Sequence, residues 1–149
     1  MIKETLKLDG MMRAILTKAD GTTEKFTKHN LIVDDGVDLI CDCLSKGTDR
    51  PAVADYIAVG TDDTAVTADD TALGSELTRL QATYGHAAGT ASFTLTATFN
   101  AGVATGAIVE AGVINASSGG SMLDRVVFPV INKEANDVLT VTFTFTLTI

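Results

Sequence analysis

The densest group of potential ligands in this 149-residue sequence is a loop holding Asp62, Asp63, Asp69 and Asp70. Calcium takes about six to eight oxygens, and carboxylates are its usual source. The spacing departs from an EF-hand, however. The acids come as two adjacent pairs, and neighbours in an extended chain point apart. Solvated loop acids are the plainer reading, with Asp70 capping the turn before Leu73, and no metal is assigned. The two histidines, His29 and His86, each stand alone in their local sequence. There is no Gly-x-Ser-x-Gly elbow. His-Glu-x-x-His, Cys-x-x-Cys and a phosphate-binding glycine loop are missing as well, and Gly119-Gly120-Ser121 reads as a turn. Cys41 and Cys43 fall on a predicted helix, where residues two apart diverge by about 200°. They read as reduced thiols, Cys41 buried, in a chain made in a reducing cytoplasm. No catalytic residue or cofactor is therefore assigned, and the chain reads as a protein other than an enzyme.

A second group is defined by isolation. Arg79, Arg125, Glu76 and Glu110 each stand alone in a weakly charged, apolar stretch. A charge beside a core needs a partner. That partner lies either within the same subunit or across a subunit interface. The second alternative makes Arg79 and Arg125 candidate assembly contacts, together with Met1, Ile2 and Leu6 of the alternating N-terminal segment. Residues 1–8 could add as a strand to a neighbour's sheet, or form an ordinary edge strand of their own domain.

Composition narrows the functions further. Charged residues make up 20% of the chain and hydrophobic ones 46%, against about 25% charged in an average globular protein. Mean hydropathy is +0.25. Beyond Thr90 the only charges are Glu110, Asp124, Arg125, Lys133, Glu134 and Asp137. That half is expected to be deeply packed or to meet a partner. The net charge of −8 with scattered Lys and Arg argues against direct nucleic-acid contact, which needs clustered cations. No run approaches the roughly 20 apolar residues of a membrane span, so no membrane is expected. The opening Met1-Ile2-Lys3-Glu4 has no apolar leader core.

These side chains must be positioned mainly by strands. Leu139, Val141, Phe143, Phe145, Leu147 and Ile149 alternate with five threonines, the pattern of a half-buried strand. Phe93, Leu95, Ala97 and Phe99 repeat it. Further strands are predicted over 4–8, 11–18, 22–28, 55–59, 107–115 and 122–130. Asp20-Gly21 and Ser117–Gly120 are the hairpin turns, and Pro129 marks a strand end or an edge. Residues 75–84 suit a strand or a short helix. One helix is predicted over about residues 36–45, capped by Asp34 or Asp35 and ended by Gly47, with Val37, Ile40, Cys41 and Leu44 as its apolar face. The expected fold is mainly β, a β-sandwich or jelly-roll-like single domain over 1–149 with one short α-helix.

Several segments in order resemble small structural proteins of tailed bacteriophages. They are Asn30-Leu31-Ile32-Val33 with Gly36; Tyr56-Ile57-Ala58-Val59-Gly60-Thr61; Asp70-Thr71-Ala72-Leu73 with Glu76 and Arg79; Glu110-Ala111-Gly112-Val113-Ile114-Asn115; Met122-Leu123 with Arg125 and Phe128; and the closing threonine-alternating strand. The resemblance implies a virion structural protein, assembled from the host bacterial cytoplasm into the particle. Small size, acidity and a charge-poor C-terminal half favour a capsid decoration (cement) protein. Its expected partners are other virion proteins, foremost the major capsid protein, and further copies of itself. A tail, collar or baseplate component is the alternative. A sugar-binding module is disfavoured, since the chain has no Trp and only Tyr56 and Tyr84 to stack on a sugar.

Overall fold

The computed structural model describes residues 3–149. Its elements in chain order are β1 (Lys7–Thr17), β2 (Thr23–His29), β3 (Leu31–Ile32), α1 (Asp34–Ser45), β4 (Tyr56–Gly60), β5 (Glu76–Gln81), β6 (Thr83–His86), β7 (Ser92–Phe99), β8 (Gly106–Ile114), β9 (Met122–Lys133) and β10 (Val138–Thr148). They form two five-stranded antiparallel sheets. Sheet A has the order β2-β1-β10-β7-β6, and sheet B the order β3-β9-β8-β4-β5. The fold is a β-sandwich with one short helix. Hairpins β1–β2, β4–β5, β6–β7 and β8–β9 each stay within one sheet. The chain changes sheets after each of them.

Alternation explains sheet A. Leu139, Val141, Phe143 and Phe145 of β10 are buried beside Leu95, Ala97 and Phe99 of β7 and Met12, Ala14 and Leu16 of β1. The intervening threonines pair across strands, Thr96 with Thr142 at 3.1 Å and Thr98 with Thr140 at 3.3 Å, a recurrent stabilising pair. The inward set stops short of the C-terminus: Leu147 and Ile149 are exposed.

Sheet B is covered on both faces. Ile57, Val59, Ala111 and Val113 face sheet A. Ala58, Ile114 and Met122 pack with Val33 and Leu73 in a second, smaller cluster, roofed by the loop of residues 61–75. Burial on both sides explains why β4 reads as a continuous apolar run.

Two local expectations, the first strand and the helix, are corrected, and two that were left open are resolved. The predicted strand at 4–8 begins only at Lys7, whose segment pairs with β10 of the same chain as Lys7↔Thr148 and Leu8↔Leu147. Met1 and Ile2 lie outside the described residues. Residues 75–84 form two strands, β5 in sheet B and β6 in sheet A, joined at Ala82. Strand β9 continues past Pro129, which is exposed beside a bulge in the β8–β9 register and beyond the end of β3, so its missing N–H breaks no ladder.

The helix departs most. It starts at Asp34, with Val33 at the cap position and no side-chain cap, and Lys46 follows its end. Asp34 and Asp35 act instead within the first turn, where the helix dipole favours negative charge. Its buried residues are Gly36 and Leu39, not the predicted apolar face. A Cβ on Gly36 would collide with the Leu123 carbonyl, so the missing side chain lets α1 seat directly on β9. That seating turns Val37 and Leu44 to solvent, leaves Ile40 half-buried and exposes Cys41.

Candidate functional site

Arg125, on β9, and Glu110, on β8, face outward from sheet B beneath the 61–75 loop. Arg125 Nε donates to Glu110 Oε2 at 3.0 Å, and its Nη2 lies 2.9 Å from the same oxygen. Nη1 donates to the Thr64 carbonyl at 3.0 Å and to Asp70 Oδ2 at 2.9 Å. Nη2 also donates to the Asp62 carbonyl at 3.3 Å. Glu110 in turn accepts backbone N–H groups from Asp62 at 3.2 Å, Gly74 at 2.9 Å and Ser75 at 2.8 Å. A fully buried carboxylate is tolerable only when paired and hydrogen-bonded in this way. Side chains from two strands thereby hold both ends of one long loop.

The loop acids divide by role. Asp62 and Asp70 turn to Arg125, at 3.8 and 2.9 Å, whereas Asp63 and Asp69 are exposed. Asp62 also accepts from the Thr64 hydroxyl at 2.8 Å and amide at 3.1 Å, and these bonds, the hydroxyl's foremost, hold its carboxyl below the usual range. Burial works to raise the Asp70 carboxyl. The Thr67 amide, the Arg125 guanidinium and the Thr67 hydroxyl outweigh it and hold Asp70 low. A Cβ at Gly74 would overlap the Asp62 carboxylate, so only glycine lets the loop close there. The acids thus converge on a guanidinium rather than on a shared cation position. Among the described residues no group of three or more His, Cys, Asp or Glu has metal-ligating geometry.

The isolated charges take the intrachain alternative. Arg79 on β5 binds Glu76 in bidentate fashion, Nε to Oε2 at 2.8 Å and Nη2 to Oε1 at 2.6 Å. Its Nη1 donates to the carbonyls of Ala116 and Gly119, both at 2.9 Å, which stitches the β8–β9 turn to β5. Arg125 is 2% exposed and has no surface to offer a neighbour. Leu6 lies just before β1 and is 61% exposed. The candidate contacts are therefore not one cluster. His29 and His86 sit on β2 and β6, at opposite edges of sheet A. His29 approaches Asp9 at 3.7 Å, and His86 Nδ1 lies 2.8 Å from the Ser92 carbonyl.

Two features were not anticipated. Asp124 is wholly buried, facing the inner side of β9. One of its oxygens accepts the Val113 amide at 3.0 Å, and the other meets the Asn30 side-chain amide. Asn30 Oδ1 has no hydrogen-bond partner. Burial pushes the Asp124 carboxyl well above the usual range, against the lowering effect of the Val113 N–H. Asn30 is also the crossing residue between the sheets, its own N–H donating to Gly10 O of β1 at 3.1 Å. The other feature is an apolar furrow of about 430 Å³ between α1 and the β1/β10 end of sheet A. Only the misplaced apolar face of α1 hinted at it in the sequence.

Fold and site define a β-sandwich whose polar clusters brace its own loops. Compared with protein-family models, curated proteins and solved structures, the chain matches none. No helix among the described residues is long and apolar enough to cross a membrane.

Proposed function

We propose that this chain is a bacteriophage virion structural protein, acting as a capsid decoration protein that bridges major capsid subunits on the outer shell. The observation that carries the reading is a contrast. The polar clusters at Arg125 and Arg79 spend their hydrogen-bonding capacity inside the chain, while large apolar side chains such as Val37, Leu44, Val53 and Tyr84 stand open to solvent. Exposed apolar surface of this kind suits a protein that works by contact.

The segments that carry the phage resemblance add support, because most of them converge in space. Residues 30–33, 56–61, 110–115 and 122–128 build β3, β4, β8 and β9 of sheet B. Asp70, Glu76 and Arg79 brace that sheet's loop and turn. The segments of that resemblance therefore fall within one braced structural unit. An acidic chain, net −8, also suits the outside of a shell better than its DNA-facing inside.

Quantitative mass spectrometry of purified particles, against the major capsid protein, tests the proposal. Copies near the capsid stoichiometry support decoration. A small fixed number per particle moves the chain to the tail, collar or baseplate, and none overturns the virion reading.

A further inference from the structure

Asp124 and Asn30 meet where the chain leaves sheet A for sheet B. Asn30 follows β2 and precedes β3, and its backbone N–H donates to the Gly10 carbonyl of β1 at 3.1 Å. Its side chain reaches the Asp124 carboxyl of β9. A Cβ on Gly10 would overlap both the oxygen and the nitrogen of the Asn30 amide, so the glycine keeps open the space that amide fills. Asp124 is fully buried and Asn30 half-buried, which puts the asparagine between the acid and the molecular surface. Beyond it the chain is thinly held. Strand β3 has two residues, Leu31 paired with Arg125 and Ile32 with Asp124, and the Val33 N–H then donates to the Leu123 carbonyl at 3.2 Å.

Donors and acceptors at this crossing do not balance around an ionised acid. Asp124 Oδ1 accepts the Val113 N–H and Oδ2 faces Asn30 Nδ2, while Asn30 Oδ1 is buried without a donor. A proton on Asp124 Oδ2 supplies one: the Asn30 amide turns over, and the acid's hydroxyl donates to Asn30 Oδ1. No neighbouring cation favours the ionised form instead. His29 and Asp9 approach each other at 3.7 Å on the exposed rim. Lys28, on the strand leading into Asn30, is exposed. Helix α1 carries Asp34 and Asp35 in its first turn and a half-buried Cys43. Arg125 and Glu110 lie on the opposite face of sheet B, bonded to each other. Among the described residues none of these forms an ion pair with Asp124.

We infer that the Asp124–Asn30 pair is a proton-operated latch on the β2–β3 crossing, closed while Asp124 carries a proton and released when that proton leaves to water. In the closed state a neutral acid and a neutral amide join β9 to the segment between the sheets. In the ionised state the Val113 and Asn30 N–H groups still face the carboxylate, but a buried anion without a cation is costly. Water entering where the wall is a two-residue strand relieves that cost. Release lifts β3 from β9, frees the Val33 N–H and loosens the first turn of α1, which sits through Gly36 on the Leu123 carbonyl. It also bares the edge of β9 at residues 123–125, backbone that another strand can pair with. The sign follows from proton linkage. Asp124 holds its proton more tightly in the closed state, so the latch is strongest at low pH and weakens as pH rises from the open-state value through the closed-state one. The device does not depend on the virion reading.

Nuclear magnetic resonance of the full chain across pH tests the latch. The Asp124 carboxyl carbon should keep its protonated shift at a pH where Asp62 and Asp70, both held low, are already ionised. Protection of the Asn30 and Val33 amides against hydrogen exchange, corrected for the base-catalysed rate, should fall by up to about tenfold per pH unit between the open-state and closed-state values. Above that window it should level off, while the Val141 amide of β10 keeps its protection throughout. Asp124→Asn, which cannot ionise, should make protection at Asn30 and Val33 independent of pH. An Asp124 carbon with the ionised shift wherever the chain is folded overturns the inference. Constant protection at Asn30 and Val33 while Asp124 titrates overturns it equally, because the acid would then be neutral without holding the crossing.

Discussion

Asp124 and Arg125 are neighbours on one strand, and both are buried, yet they live in opposite electrostatic worlds. Consecutive strand residues point to opposite faces. Arg125 reaches out under the 61–75 loop, where three carboxylates and two carbonyls receive it. Asp124 reaches in toward the crossing between the sheets, where it meets an amide N–H, the Asn30 side chain and no cation. The outer face of β9 thus holds a saturated ionic brace, and the inner face holds a lone acid that is best accommodated neutral. The difference teaches that burial alone does not set the role of an ionisable group. The available partners do.

The largest effect should come from breaking the brace. Arg125→Ala leaves Glu110 buried without its cation, and removing one partner of a buried pair costs about 3–5 kcal/mol. Urea unfolding should register that loss. Hydrogen exchange should show the Gly74 and Ser75 amides opening first, since both depend on Glu110. Retained protection at those two amides would mean that the loop is held by the smaller apolar cluster around Leu73 rather than by the ionic one.

Asp124→Asn sharpens the contrast, because it should stabilise. An amide at this position can still accept from Val113, while its Nδ2 replaces the oxygen that now accepts from Asn30 Nδ2, so the Asn30 amide turns over and its Oδ1 accepts instead. Hydrogen bonds are exchanged rather than added, so the gain, about 1 kcal/mol at neutral pH, comes from no longer burying an ionisable acid without a cation. The pH dependence carries the sign. With the folded value raised by burial, the native state binds the proton more tightly than the unfolded chain does. Stability from Asp124 therefore falls as pH rises from the unfolded value through the folded one. The substitution should remove that slope while leaving the rest of the profile in place. If denaturation midpoints for the parent and Asp124→Asn run parallel across that window, the acid is ionised in the fold.

Asp70 should show the opposite slope. Held low despite burial, it contributes stability that is present above its unfolded value and lost as pH falls through the folded one. Asp70→Asn should cost about 1 kcal/mol at neutral pH, discounted for its partial exposure, and nothing at a pH below both values. Matched unfolding curves at the two pH extremes measure it.

Much of this was visible in the residues, and the missing parts share a cause. Period-two alternation announces β7 and β10, because each buries one face. Isolation of Glu76, Arg79, Glu110 and Arg125 in apolar surroundings rightly marked them as partnered. The pairing Glu110 with Arg125, however, depends on the register of β8 on β9 and on a loop folding back over both. The Asn30–Asp124 contact spans 94 positions, and no local pattern encodes it. The helix formed where expected, but its buried face was misread for a different reason. Its amphipathic stripe was real, but the close approach at Gly36 decided which side faces the sheet.

The smallest effect belongs to Arg79, which resembles Arg125 in pairing with a glutamate but sits nearer the surface. Its guanidinium braces a turn, not a 15-residue roof, and its ion pair with Glu76 is partly solvated. Arg79→Ala should therefore cost only about 0.5–1 kcal/mol. Its signature should be local. The Ala116 and Gly119 carbonyls lose their donor, so the Ser121 amide, bonded to Asn115 across the same turn, should exchange faster while the β4 and β10 amides do not. Arg79→Lys keeps the charge but not the fork that reaches Glu76 and two carbonyls together. Full protection of Ser121 in the lysine variant would show that charge alone holds the turn, and partial protection would show that the planar geometry of arginine is what the turn requires.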